Sequence, residues 1–257
     1  MLNSNFRKTS IVFGLLLGAN SVFADVVDIC PTPADKAAIH ARLKTALIAA
    51  QGAENGGFGF EMWGTVVNRD GVVCAVAHSG DDRGDQWPGS RVISAQKANT
   101  ANAFSLPGFA LSTANLWEAT QDGGSLFGLQ FSNPVSTDAA YGESSSQIGT
   151  AQDPMIGKKI GGINVFGGGL ALYSADGLLL GGIGVSGDSS CADHNIAWRI
   201  RHDVKLDYVP AGIHTAGGVT DDQIMFLPQT TAGFGHVRCG PGMDEVVATL
   251  PAISVAP

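Results

Sequence analysis

The chain is short of cations. Fifteen lysines and arginines stand against 23 aspartates and glutamates in 257 residues, and nowhere do Lys and Arg gather into a cluster. Without such a cluster a protein cannot neutralise a row of phosphates, so nucleic acid is excluded as a partner. The same acidity argues against adhesion to an anionic membrane surface. Long hydrophobic runs are also missing. The apolar stretch at residues 11–19 is about half the ~20 residues a membrane-spanning helix needs. No Cys-x-x-Cys pair suggests zinc. The glycine runs are followed by no P-loop lysine, and no Gly-x-Gly-x-x-Gly opens a helix, which disfavours nucleotides. No Ser/His/Asp signature is visible, although catalytic groups need only converge in space. The acidic segment at residues 81–85 lacks the spacing and closing glutamate of an EF-hand.

What is present begins with an export signal. Arg7 and Lys8 precede the apolar stretch, and no acidic residue occurs before Asp25. Val22 and Ala24 are small residues where a signal peptidase reads. Residues 1–24 therefore read as a signal peptide cleaved before Asp25, and the product as periplasmic or secreted. Cleavage leaves 233 of the 257 residues and takes the formal charge from −8 to −10 with the loss of Arg7 and Lys8. That length suits one domain with embellishments. Four cysteines, Cys30, Cys74, Cys191 and Cys239, lie in the exported part. An even count in an exported chain predicts two disulfides. Three pairings are possible; Cys191–Cys239 is favoured because it would tie the C-terminal extension to the core.

Periodicity predicts a helix over residues 33–50, with Thr32 as cap, Pro33 in its first turn and Gly52 as its stop. Its apolar face is Ile39, Leu43, Leu47 and Ala50. A hairpin follows, residues 62–67 and 72–77 around Asn68-Arg69-Asp70-Gly71. After a Gly- and Asp-rich loop at 78–89, a helix capped by Ser90 runs over 90–104. A second unit of the same layout occupies 170–205: strand, Ser174-Ala175-Asp176-Gly177 turn, strand, Ser186-Gly187-Asp188, helix. Two hairpin–loop–helix units imply one antiparallel sheet with helices packed on it, an α+β arrangement. A short helix capped by Ser112 is expected at 113–120. The polar segment 132–153, within an insertion near 122–160, reads as a surface loop. Residues 208–257 read as an extension wrapped on the surface of a domain spanning 25–207.

The densest pattern is glycine: Gly161-Gly162, Gly167-Gly168-Gly169, then Gly181-Gly182-Ile183-Gly184-Val185-Ser186-Gly187-Asp188. The last run ends at a helix start, where free N–H groups favour an anion; the competing reading is close packing of helix on sheet. The segments Val66-Val67-Asn68-Arg69-Asp70-Gly71, Ser94-Ala95-Gln96-Lys97-Ala98-Asn99-Thr100-Ala101, and Gly167 to Leu172 followed by Leu180 to Asp188 resemble the GlcG/HbpS family of haem-binding proteins over about residues 33–205. The resemblance implies a profilin-like antiparallel sheet with packed helices, a homo-oligomer, and haem or a related tetrapyrrole as ligand. It departs from the family at His78-Ser79-Gly80-Asp81 and at Leu170.

The candidate ligand-binding residues are His78, Trp87, Lys97, Thr100, Gly184, Ser186 and Gly187. His78, at a strand end, is the candidate ligand for haem iron, since a neutral imidazole can bind it. Lys97, where the family has its lysine, could meet a carboxylate on one face with Thr100; otherwise a salt bridge to Asp81, Asp82 or Asp85 would hold it. Trp87 and Trp63 could stack on a flat ligand. The alternative function is an enzyme acting on a small carbonyl or hydroxy-acid compound, with Lys97 and His78 as acid and base.

Overall fold

The computed structural model describes residues 29–255 apart from 31, 33, 34 and 143. The signal-peptide reading falls on residues 1–24, outside the described residues. The two hairpins form one four-stranded antiparallel sheet: β1 (Trp63–Asn68), β2 (Val73–His78), β3 (Gly169–Tyr173) and β4 (Leu179–Ser186), in the order β2-β1-β4-β3. The two units meet where β1 pairs with β4, Trp63 opposite Ser186 and Asn68 opposite Gly181.

Helices cover both faces. Helix α1 (Lys36–Gln51) and helix α5 (Ser190–Asp203) lie on one. There Leu43, Leu47, Ile196 and Ile200 pack on Ala75, Ala77, Leu170, Leu172, Ile183 and Val185. These strand residues alternate with others that face helix α2 (Ser90–Ala103), as the pleat requires. On the α2 face Val92, Ala95 and Ala98 pack with Trp63, Val67 and Val76. The structure is thus the α+β arrangement expected.

Two helix starts differ from expectation. Helix α1 begins after Asp35, and the Thr32 hydroxyl donates to the Asp35 carboxylate instead of capping the helix. At α2, Ser90 is the first helical residue and is buried; Gly89 precedes it and no side chain caps the end. Ser189 caps α5 by accepting from Ala192 N–H, and Ser112 caps helix α3 (Thr113–Ala119) by accepting from Asn115 N–H, as its position predicts.

The polar insertion is more than a surface loop. It contains helix α4 (Thr137–Tyr141), and Ala140, Met155 and Ile160 are buried against the α2 face. Its far end caps the open edge of β2: Val73 N–H donates to Lys158 O, and Gly157 N–H to Val73 O. At the other edge Tyr173 N–H donates to Leu206 O. Each sheet edge is thus engaged at one end by the chain itself.

The last segment carries a small hairpin, β5 (His214–Ala216) and β6 (Val219–Asp221), and helix α6 (Met243–Val247). It is tied to α5 by Cys191–Cys239, by Arg201–Asp222, and by Trp198 Nε1–H donating to Pro251 O at 2.8 Å. The second disulfide, Cys30–Cys74, fastens the start of the described chain to β2. No described cysteine is free.

Candidate functional site

The loop after β2 is braced from within. Gln86 is buried; its Nε2 donates to Asp82 O at 2.7 Å and its Oε1 accepts from Gly80 N–H. Asp82 and Asp85 accept from Gly84 and Asp82 N–H. Braced this way, the loop stands away from the first turn of α2, and the insertion closes the far side. The result is a cleft of about 500 Å³ lined by Trp63, Arg83, Arg91, Val92, Tyr141 and Ile148 among others. Trp63, Arg91 and Val92 are its buried residues, whereas Tyr141 and Arg83 are exposed at its rim. The Trp63 indole N–H is buried and has no hydrogen-bond acceptor among the described residues.

Arg91 is held against the insertion. It forms a buried ion pair with Asp153 and donates from Nη1 to Ala140 O. Asp153 also accepts from Gly149 and Met155 N–H. The Arg83 guanidinium reaches Ser145 O across the cleft.

His78 sits behind Trp63, its ring edge-on at 5.2 Å between centroids. Its Nδ1 donates to Gly80 O at 3.0 Å, which leaves Nε2 as the atom able to bind a metal. Gly149 closes over that atom: a Cβ there would stand 2.4 Å from His78 Cδ2 and 3.0 Å from Nε2. Only glycine permits this approach. His40 holds the same residue from the other side, Nε2 to Gly149 O at 2.8 Å. Burial holds the pKa of both imidazoles below the ordinary value, and the nearby Lys44 ammonium adds to the effect.

The remaining candidates do not converge on this cleft. Lys97 is 1 % exposed. Its partner is Asp193 at 2.6 Å, in place of Asp81, Asp82 or Asp85, and it also donates to Val185 O. Burial lowers the Lys97 pKa and raises that of Asp193 to about 6, although each charge partly offsets the other's shift. Asp193 accepts from Asp188 N–H as well. The anion expected at the start of α5 is thus a carboxylate of the chain itself, neutralised by Lys97. Thr100 is buried, donating to Gln96 O and accepting from Asn164 N–H. Gly184 lies under α2, Ser186 is buried, and Gly187 abuts Glu61 O and Met62. The glycine run is a packing seam between sheet and helix. Trp87 points away from the cleft and is 56 % exposed, in a row with Phe60 and Phe58 at ring spacings of 5.5 and 5.4 Å. Sequence reasoning missed Arg83, Arg91, Tyr141 and Ile148, which lie on segments far apart in the chain.

Acid stability follows from the buried imidazoles. Burial depresses the His194 pKa to about 3, and those of His236, His78 and His40 also fall below the usual 6.5. Below pH ~6.5 the unfolded chain binds protons these groups refuse in the fold. Stability is therefore expected to fall as pH drops from ~6.5 toward 3. Asp193, protonated more readily in the fold between pH 3.8 and about 6, opposes part of this loss. Urea midpoints across that range should show a shallower acid limb in His194→Gln than in wild type. Equal slopes would show that His194 contributes nothing to the acid limb.

A sequence model of a family described as "Haem degrading protein HbpS-like" matches residues 38–200. Two solved structures are similar in part. One is the PduOC:haem complex, 22% identical, covering 68% of this chain and 94% of that one with a TM-score of 0.44. The other is the Klebsiella pneumoniae protein ORFY, 22% identical, covering 64% and 86% with a TM-score of 0.42. No curated protein matches the chain.

Proposed function

Because the chain belongs to the HbpS-like family, whose model spans residues 38–200, we propose that it is an exported protein that binds haem or a related tetrapyrrole in the cleft between the 79–89 loop, α2 and the insertion. The carrying observation is the cleft itself. About 500 Å³ falls within the roughly 300–1,000 Å³ of small-molecule sites. Trp63, Val92 and Ile148 offer apolar surface to a macrocycle, and Arg83 at the mouth offers a fork for a propionate. His78 is the nearest imidazole to that wall and the ligand we assign to the iron. Its Nε2 becomes available once Gly149 withdraws, so iron ligation requires the insertion to lift.

Lys97 is sealed from solvent and stands apart from His78, so no observation favours the acid–base enzyme reading. Among the described residues no helix is long and apolar enough to cross a membrane. The two disulfides are compatible with export.

Haem titration followed by the visible spectrum tests the reading. Wild type is expected to bind one equivalent. Gly84→Trp, which fills the mouth from an exposed position, should abolish binding, and Arg83→Ala should weaken it about tenfold. His78→Ala should retain haem with a shifted Soret band. Unchanged binding in Gly84→Trp would remove the cleft as the site.

We also propose a homo-oligomer. The exposed Phe58–Phe60–Trp87 row is the face we assign to it. Light scattering should show an assembly that Phe58→Ser/Trp87→Ser dissociates; a wild-type monomer at micromolar concentration would refute it.

A further inference from the structure

At the start of α5, away from the cleft, Cys191, Cys239 and His236 stand together. Their three donor atoms lie within 4.8 Å of one another. In the structure the sulfurs are joined, but the surroundings suit an opened bond. Cys239 is exposed while Cys191 is buried. A thiolate can thus reach the Cys239 sulfur, and Cys191 leaves as a thiolate in the first turn of α5, where the helix dipole favours negative charge. Cys191 N–H points at the Cys239 sulfur at 3.1 Å, a donor placed for thiolate at that position too. Cys239 lies in a strap, Cys239-Gly240-Pro241-Gly242, whose glycines have room around them.

His236 completes the set. Its Nδ1 is 4.0 Å from the Cys191 sulfur and donates to Val237 O at 2.6 Å, a bond that a cation would replace, and its Nε2 is 2.8 Å from Ser190 Oγ. With a metal on Nδ1, Nε2–H would donate to Ser190 Oγ, the kind of outer partner that fixes a ligating imidazole.

We propose that the Cys191–Cys239 disulfide is a reducible lock on a Cys₂His site for a thiophilic divalent cation such as Zn²⁺. A small dithiol attacks the Cys239 sulfur, expels Cys191 as thiolate, and then resolves the mixed disulfide. The protein gains two thiols and the dithiol becomes a cyclic disulfide. The cation then binds both sulfurs and His236 Nδ1, releasing the two thiol protons, while the imidazole proton shifts from Nδ1 to Nε2. Tetrahedral geometry needs sulfurs about 3.8 Å apart, a separation that the glycine-flanked strap can supply. Three protein ligands leave a fourth position for water, the open form of such sites.

The test uses Co²⁺ as probe. The full exported chain is reduced with a phosphine, exchanged into anaerobic buffer and titrated, with near-ultraviolet circular dichroism recorded before and after reduction. Reduced protein is expected to keep its tertiary signal, bind one equivalent and show a thiolate-to-cobalt charge-transfer band; oxidised protein should show none. Cys239→Ala should lose the band, and Cys30→Ala/Cys74→Ala should keep it. His236→Ala should weaken binding at least tenfold, and Ser190→Ala by about tenfold. Loss of the tertiary signal on reduction alone, a folded reduced protein without the band, a band that survives Cys239→Ala, or unchanged affinity in His236→Ala would each overturn the proposal.

Discussion

Asp222→Ala is expected to destabilise the protein by about 3–5 kcal/mol, the cost of leaving a buried charge without its partner. The pair is the most enclosed in the described chain: both side chains of Arg201–Asp222 are 0 % exposed. The carboxylate takes both Nη1 and Nη2 at 2.7 Å, and Nη1 also donates to Ala171 O. Trp198 lies under the guanidinium, 4.6 Å from ring centroid to Cζ. Without Asp222, the arginine keeps one carbonyl and one aromatic face, too little for a cation in a medium of low dielectric. The extension also loses an anchor on α5, so the hairpin β5–β6 should loosen first. Urea unfolding should show a lower midpoint with little change in slope. The double variant Arg201→Met/Asp222→Leu should recover most of the loss, because buried ion pairs seldom outperform apolar replacements of similar volume. A loss below about 1 kcal/mol in Asp222→Ala would mean that water reaches Arg201 and that the pair is not the anchor assigned here.

Gly184→Ala is expected to cost at least about 3 kcal/mol, beyond the usual range for one added methyl. The new Cβ would stand 1.9 Å from Ser94 O and 2.5 Å from Ala98 N, both main-chain atoms of α2. Backbone cannot rotate away as a side chain can, so the helix must lift from the sheet. Gly182 faces α2 in the same way, with a Cβ 2.4 Å from Ala98 O. Lifting α2 also moves Arg91 and Val92, so the cleft should deform along with the fold. Gly89→Ala is the control. Nothing lies within 4 Å of a Cβ there, its φ is −63°, and its change should stay within about 0.5 kcal/mol. Equal midpoints for the two variants would refute the seam.

Much of the framework was legible in the residues. The two hairpins, α2, α3 and α5 fall within a residue or two of their expected places because alternation, helical spacing and turn residues act locally. The two helix starts failed for an equally local reason: Thr32 and Ser90 have several partners within reach, and the choice among them depends on what each helix packs against. The polar insertion misled because its buried residues, Ala140, Met155 and Ile160, are scattered without period among polar ones. Lys97 found Asp193 instead of the nearer acidic loop because its side chain passes Val185 of β4 to reach α5, a contact that no sequence spacing encodes.

Strands, helices, an even cysteine set able to close into disulfides and a dense glycine run were all readable from local residue character, because each follows from the conformational and chemical nature of single residues. The favoured pairing, Cys191–Cys239, is the one formed, with Cys30–Cys74 beside it, but the choice among three was made by tertiary contact. Tertiary contact likewise settled that the glycine run packs a helix and that the cleft is walled by Arg83, Tyr141 and Ile148 from segments far apart in the chain. Those outcomes depend on which surfaces meet, and meeting is governed by the burial of whole faces, to which any one residue contributes only a small part.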